Sequence, residues 1–254
     1  MTDLHHAAAT GYAAASDTYA RGRPGYPPEL EAWLLGRMAL GPGMRVVELG
    51  AGTGKFTRLL AGTGAEVTAV EPVAEMRDTL AAALPGVTVQ GGTADETGLA
   101  RGAADVVICA QAFHWFATTE ALDEIARILR QGGSLGLVWN IRDETTPWVA
   151  ELTRIMTPYE GDAPRFHTGA WRKVFPHPEF GAMHEAYSTH THDGSFEDVV
   201  LNRVMSVSFI AALPPETRAT VRDEILALRR DFAELQGATV RFPYRTLAVS
   251  LSRR

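Results

Sequence analysis

Between residues 44 and 139 short β-rich runs alternate with helical stretches, and this alternation restricts the chain to very few folds. Candidate strands are Met44–Leu49, Glu66–Val70, Val87–Gln90, Asp105–Ala110 and Ser134–Trp139. Helical stretches at Phe56–Ala61, Val73–Leu84 and Thr119–Leu129 lie between them. In the last of these, Leu122, Ile125, Ala126, Ile128 and Leu129 form an apolar stripe at helical spacing. Strand and helix in alternation give a parallel sheet covered by helices. Gly132-Gly133 is expected to end the third helix just before the fifth strand. Upstream, Leu30–Met38 reads as a helix entered through the turn-rich RGRPGYPP.

After Asn140 the pattern changes. Trp148–Tyr159 reads as helix, Met183–His192 as a strand, Pro215–Leu235 as a long charged helix and Val240–Leu251 as a final strand. Pro243 interrupts that strand and suits a sheet edge or a bulge. With 254 residues, no internal repeat and no low-complexity linker, the expectation is a single domain over 1–254. Its parts are an N-terminal lid and first helix (1–40), a ligand-binding core (41–140), and cap segments with the last two strands (141–254).

VVELGAGTGKF, residues 46–56, crowds three glycines behind the first strand, as a backbone does where it approaches a ligand. A triphosphate loop, G-x-x-x-x-G-K-[ST], needs glycine at position 49 and a hydroxyl at 56, where Leu49 and Phe56 stand. The dinucleotide fingerprint G-x-G-x-x-G fits Gly50 and Gly52 but meets Lys55 at its third glycine. Glu48 precedes the loop, Glu71 closes the next strand in VTAVEP, and GGTADE (91–96) follows the third. All three lie at carboxyl ends of successive strands, where open α/β sheets bind ligands and an acidic side chain accepts from a ribose diol. A ribose acceptor, little positive charge and a second carboxylate suit a nucleoside carrying a cation rather than a pyrophosphate.

These residues resemble the class I S-adenosylmethionine-dependent methyltransferases. The motifs are VVELGAGTGKFT, VTAVEPVAEM, GGTADETGL, ADVVICAQAFHWF and LRQGGSLGLVWN. YARGRPGYP, SFIAALP and VRFPYRT are similar to segments of a small-molecule subgroup that includes trans-aconitate methyltransferase. The resemblance implies an α/β, Rossmann-like, doubly wound seven-stranded sheet, its last strand antiparallel, with N-terminal and C-terminal helical cover segments. It implies S-adenosyl-L-methionine as cofactor. Gly50, Ala51, Gly52, Thr53 and Gly54 would lie under its amino-acid portion and ribose, and Glu71 would hold the ribose hydroxyls, with Pro72 and Met76 beside it. Thr93, Ala94 and Asp95 would flank the adenine, Ala110 and Gln111 the methionine part, while Glu48 would steady the loop. Tyr19 and Arg23 would close over the methionine end, with a tyrosine face available to the sulfonium. Val207 stands between Ser206 and Ser208 where relatives often carry a basic or aromatic residue, which weakens any inference about substrate charge.

Methyl transfer from a sulfonium is an in-line displacement, so the protein aligns the nucleophile, excludes water and, where needed, removes a proton. Candidate catalytic residues are His114, Asn140 and Arg142. His114, in FHWF, is either a base or donor at the site or a packing residue, and the second is favoured. Asn140 would orient a nucleophile or the cofactor amine. Arg142 either meets a substrate carboxylate or forms a surface ion pair with Asp143 or Glu144. His167, His177, His184, His190 and His192 match no zinc spacing, and no metal is expected.

The expected partner is a small-molecule substrate, with the protein a monomer or homodimer. A net charge of −6 and no basic block argue against nucleic acid, and no run approaches membrane-spanning length. Cys109, the only cysteine, falls in an apolar run and is expected to be buried; no leader is read at the N-terminus, so the expected compartment is the cytoplasm. Two rival functions share these motifs: a non-methylating enzyme that cyclises the cofactor's amino-acid chain, and a non-catalytic cofactor-binding protein.

Overall fold

A computed structural model describes residues 23–162 and 164–254. Tyr19 and most of the expected N-terminal lid lie outside the described residues. Seven strands form one sheet: β1 (Arg45–Leu49), β2 (Glu66–Val70), β3 (Thr88–Gln90), β4 (Ala104–Ala110), β5 (Leu129–Arg142), β6 (His184–Gly194) and β7 (Val240–Ser252). Their order is β3-β2-β1-β4-β5-β7-β6. β1 pairs in parallel with β2 and β4, β2 with β3, and β4 with β5. The last strands run antiparallel. Gly133 carbonyl accepts from Arg253 and Pro243 carbonyl from Asp143, so numbers rise along β5 as they fall along β7.

The chain leaves β1 in one direction through β2 and β3, then crosses to β4 on the other side of β1. That reversal opens a crevice at the strand carboxyl ends. The strands that frame it are deeply buried: every residue of β4 and all of β1 after Arg45, with Glu48 and Asp105 the two charged side chains among them, both hydrogen-bonded. Continuous burial of this kind is what a parallel sheet covered on both faces requires.

The principal helices are α1 (Pro28–Gly36), α2 (Thr57–Gly62), α3 (Ala74–Ala83), α4 (Thr119–Ile128), α5 (Pro147–Met156) and α6 (Pro215–Asp231). Proline opens α1, α5 and α6, where its missing N–H costs nothing and its fixed φ suits the first turn. Thr118 caps α4 by accepting from the Ala121 amide at 3.2 Å, and the expected stripe Leu122, Ile125, Ala126 and Ile128 is buried.

Two expectations are corrected. Gly132-Gly133 does not end α4, whose last residue is Ile128; β5 begins directly at Leu129. The glycines form an irregularity inside β5, between the pairs Ala104–Leu129 and Val106–Ser134. Gly132 has φ +69°, and a Cβ on Gly133 would sit 2.9 Å from the carbonyls of Arg130 and Asp105, so only glycine fits this bulge. The final strand is not the edge either: β7 lies between β5 and β6, and β6 is the edge. Pro243 is tolerated because it sits near the start of β7, opposite the end of β5, where its carbonyl still accepts from Asp143.

The chain divides into two compact units. Among the described residues, one comprises 23–26, 140–162 and 189–245, and its core joins α5, α6 and the segment 196–210, with Trp148, Phe242 and Tyr244 among its large buried side chains. The other comprises residues 27–139, 164–188 and 246–254. Its interior includes Trp139, which meets Phe166 and Trp171 in tilted ring contacts at 5.0 and 4.5 Å between centroids. Cys109 is buried in it as expected, and burial pushes its thiol up.

Candidate active site

The second unit carries the glycine loop. The amides of Gly50 and Ala51 both donate to Val70 carbonyl, at 2.9 and 3.3 Å, so the loop stays tied to the end of β2 as it leaves β1. Gly54 amide then turns back to Ala51 carbonyl at 3.1 Å, and α2 begins at Thr57. Gly50, Gly52 and Gly54 all have positive φ, but they do different things. A Cβ on Gly50 would meet Ala112 Cβ at 2.7 Å, and one on Gly54 would meet Leu80 Cγ at 2.8 Å. Those two glycines let neighbouring elements pack. A Cβ on Gly52 would find only Met76 Sδ, at 4.0 Å, so the space beside this glycine is open.

Glu71 reaches that loop. Its carboxylate accepts from the amides of Gly52 at 2.9 Å and Val73 at 3.0 Å. Burial raises its pKa; the two amides and the nearby Arg77 oppose that rise, so a carboxylate at this place is held by donors aimed at it. Arg77, which drew no attention in the sequence, donates from Nη1 to the carbonyls of Glu71 and Pro72 and so fixes the turn after β2. Its signal was only its place one turn into α3.

Glu48 lies deeper. It is 1% exposed and accepts from Thr57 Oγ1 at 2.6 Å, which couples the end of β1 to the first turn of α2. Burial, opposed by that hydrogen bond and reinforced by Glu71, lifts its pKa to about 8. At neutral pH it is therefore a protonated, hydrogen-bonded strut beneath the loop.

The remaining motif residues line the same strand ends. Pro72 and Met76 follow β2, Met76 being buried on α3. Thr93, Ala94 and Asp95 follow β3, held by reciprocal backbone bonds between Thr93 and Glu96 at 3.1 and 3.3 Å. Ala110 ends β4, and Gln111 follows it in a left-handed conformation (φ +59°) that a non-glycine residue seldom takes. Gln111 is kept there by its amide, which donates to Val138 carbonyl at 2.7 Å. Backbone strain of this sort gathers where a chain must present groups to a ligand.

His114 sits in the short turn Phe113–Trp115. Trp139 Nε1 donates to its Nδ1 at 3.2 Å, and Trp115 lies against the ring at 5.3 Å between centroids. Burial first, and the Arg165 charge second, bring its pKa down to about 3. The imidazole is therefore neutral, with Nδ1 occupied as an acceptor and the proton on Nε2. Phe113 is fully buried and meets Phe116 edge-on at 5.8 Å.

The first unit holds the other candidates. Asn140 Nδ2 donates to Gly25 carbonyl at 2.8 Å, tying the described end of the N-terminal segment to the end of β5. Arg142 is not the surface ion pair considered from sequence. Its side chain is half-buried, its Nη1 donates to Met156 Sδ at 2.8 Å, and Asp143 instead accepts from Thr145. Arg23 lies close enough to act on Arg142 electrostatically. Arg203, within the same range of both, was missed in the sequence; its signal was a lone cation in the apolar run VVLNRVM.

His177 Nε2 stands 3.4 Å from Asp123 Oδ1, and His190 stacks on Tyr244 at 5.6 Å. Among the described residues no cluster of histidine, cysteine or carboxylate could hold a metal ion, and no helix is long and apolar enough to cross a membrane.

A nucleoside sulfonium fits the loop: Gly52 leaves a cradle that a Cβ would fill, and a carboxylate lies beside it. Comparison with known proteins agrees. The methyltransferase domain family matches residues 47–137. An uncharacterized methyltransferase-like protein of Schizosaccharomyces pombe is 37% identical over 235 residues, 91% of each chain. An uncharacterized methyltransferase of Mycobacterium tuberculosis is 38% identical over 251 residues, 98% of each. Among solved structures, one from Anaeromyxobacter dehalogenans, assigned by inference as a type II methyltransferase, superposes with a TM-score of 0.64. It is 24% identical over 91% of this chain and 97% of its own. Phosphoethanolamine N-methyltransferase 2 of Haemonchus contortus, solved with S-adenosyl-L-methionine, shares the fold at a TM-score of 0.52 and 14% identity, over 93% of this chain and 56% of its own. The chain belongs to the class I S-adenosylmethionine-dependent methyltransferases.

Proposed function

We propose that this methyltransferase acts on a small molecule, transferring the methyl group in line to an oxygen, nitrogen or carbon nucleophile. The observation that carries the cofactor side of this reading is the pairing of Gly52 with Glu71. The loop is open at Gly52 Cα and closed elsewhere by Ala112 and Leu80, so the open side is where a ligand's ribose would rest. Glu71 is then the acceptor for its hydroxyls while holding the loop through the Gly52 amide. Ala94 and Asp95 would border the adenine, and Ala110 and Gln111 the methionine chain. S-adenosylmethionine, when bound, supplies an activated methyl carbon on a sulfonium.

What remains for the chain's own residues is alignment and exclusion of water. A pKa near 3 makes His114 a poor general base and favours its role as an Nε2–H donor or a wall residue. Asn140 acts through the N-terminal segment that it holds, and Arg142 is the residue best suited to an anionic group on the acceptor. A small acceptor is favoured by the net charge of −6, which offers no attraction to a nucleic acid backbone.

The test is incubation with S-adenosylmethionine and fractionated metabolites, followed by mass spectrometry. Release of S-adenosylhomocysteine together with a product heavier by one methylene supports the reading. Rings derived from the cofactor's own amino-acid chain, formed without any acceptor, would replace it with the cyclising alternative. Cofactor binding with no turnover on any fraction would favour a non-catalytic protein.

A further inference from the structure

Trp139 carries one polar atom, an indole Nε1–H that can only donate. The side chain is 1% exposed, and Phe166 and Trp171 lie against its ring at 5.0 and 4.5 Å between centroids. Trp171 is itself buried, so the indole is wedged between rings and has little freedom to turn. Its N–H ends on His114 Nδ1 at 3.2 Å. The backbone ties the same two elements together one step away, where the Gln111 amide donates to Val138 carbonyl at 2.7 Å.

A buried indole N–H needs an acceptor, and a backbone carbonyl would serve. An imidazole is a different partner, because accepting at one nitrogen decides the state of the other. With a donor fixed opposite Nδ1, the ring's proton must sit on Nε2. Protonating the ring would set two donors against each other, so the bond also holds the ring neutral. Arg165, the charged group that acts on His114, works in the same sense. The ring is only partly buried, and its Nε2 makes no hydrogen bond among the described residues. His114 follows the carboxyl end of β4, the end at which the glycine loop leaves the parallel strand β1. A ring used only for packing gains nothing from a fixed tautomer. A ring that must offer one N–H in one direction does.

We propose that Trp139 is a positioning residue for methyl transfer: its indole N–H holds His114 as a neutral ring whose Nε2–H donates to a lone pair of the methyl acceptor. This rests on the small-molecule methyltransferase reading above. The nucleophile must keep its reacting lone pair free, so the N–H addresses an oxygen or nitrogen beside the reacting atom. An uncharged donor suits an uncharged acceptor atom there. Phe166 and Trp171 belong to the same device, since they keep the indole aimed at Nδ1.

The experiment combines nitrogen NMR of isotope-labelled histidine and tryptophan in the full chain with turnover. Spectra are taken at neutral pH with S-adenosylhomocysteine bound. Turnover is the release of S-adenosylhomocysteine from S-adenosylmethionine with the fractionated metabolites. Wild-type His114 should show one neutral tautomer, its proton on Nε2 and its Nδ1 coupled to the Trp139 indole proton. Trp139→Phe keeps a ring in the packing but has no donor. Its His114 should lose that coupling and admit the second tautomer, and turnover should fall at least tenfold, with S-adenosylhomocysteine affinity within about twofold of wild type. His114→Gln sets an amide N–H near the place of Nε2–H, so it should retain at least tenfold more turnover than His114→Phe.

A wild-type His114 protonated at Nδ1, or a mixture of tautomers, would overturn the proposal. So would wild-type turnover in Trp139→Phe, or equal turnover in the two His114 variants. Slow turnover in a Trp139→Phe protein whose His114 spectrum matches wild type would overturn it too, since the indole would then act through packing alone. If Trp139→Phe does not fold, the wild-type spectrum and the His114 pair decide. A wild type that neither binds S-adenosylhomocysteine nor releases it would be a different failure, that of the underlying reading, seen before any variant is made.

Discussion

Glu48 makes the stability of this protein depend on pH in an unusual direction. Its carboxyl has an ordinary pKa of 4.5, raised in the fold to about 8, with burial the main cause. The folded chain therefore holds a proton that the unfolded chain has lost throughout that interval, and stability falls as pH rises through it. The contribution is full below pH 4.5 and is lost as pH approaches 8. Each pH unit inside the window is worth about 1.4 kcal/mol, so between pH 5.5 and 7.5 this one group should remove about 3 kcal/mol. Glu48→Gln has the shape of the protonated carboxyl and can still accept from Thr57, but it cannot ionise. Urea unfolding of both proteins at pH 5.5, 6.5 and 7.5 isolates the residue, because all other titrating groups are shared. The variant should gain about 3 kcal/mol relative to wild type across that range. Equal pH slopes in the two proteins, or a wild type that gains on the variant as pH rises, would refute the reasoning and mean that Glu48 ionises in the fold at ordinary pH.

Three further outcomes are expected. Glu71→Ala should weaken S-adenosylmethionine binding by about 1–3 kcal/mol, measured by calorimetry on the folded variant, because both the ribose acceptor and the anchor of the Gly52 amide are lost; unchanged affinity would dismiss Glu71 from the site. Gly50→Ala and Gly52→Ala should separate packing from binding: the first meets Ala112 at 2.7 Å and should lose roughly 2–4 kcal/mol of stability. The second meets no protein atom nearer than 4.0 Å and should cost the fold about 1 kcal/mol while lowering cofactor affinity at least tenfold. Thermal melts and calorimetry on the same samples check both. His114, with its pKa near 3, should show no titration between pH 5 and 8 in the ring resonances assigned by comparison with His114→Asn; a midpoint near 6.5 would restore it as a candidate base.

The sheet and the glycine loop were legible in the chain because they are local. A parallel strand buried on both faces is apolar except where a buried polar group has a partner, as Glu48 has in Thr57, and the glycines behind it take positive φ, so VVELGAGTG carries its own constraints within a few residues. Glu71 was legible for the same reason, as the last residue before a turn at a strand end. Which glycine has open space at its Cα was not legible: Gly50, Gly52 and Gly54 look alike in the chain, and only the approach of Ala112 and Leu80 tells them apart. The place of β7 was misread because proline forbids one hydrogen bond, whereas strand order depends on which neighbours cover the rest of the strand. Arg142 and Arg203 show the limit most clearly. Sixty residues of sequence separate them, and an arginine in an apolar run looks like an error of pattern until the fold half-buries it near another cation. Burial decides what a charge means, and burial is a property of the assembled chain.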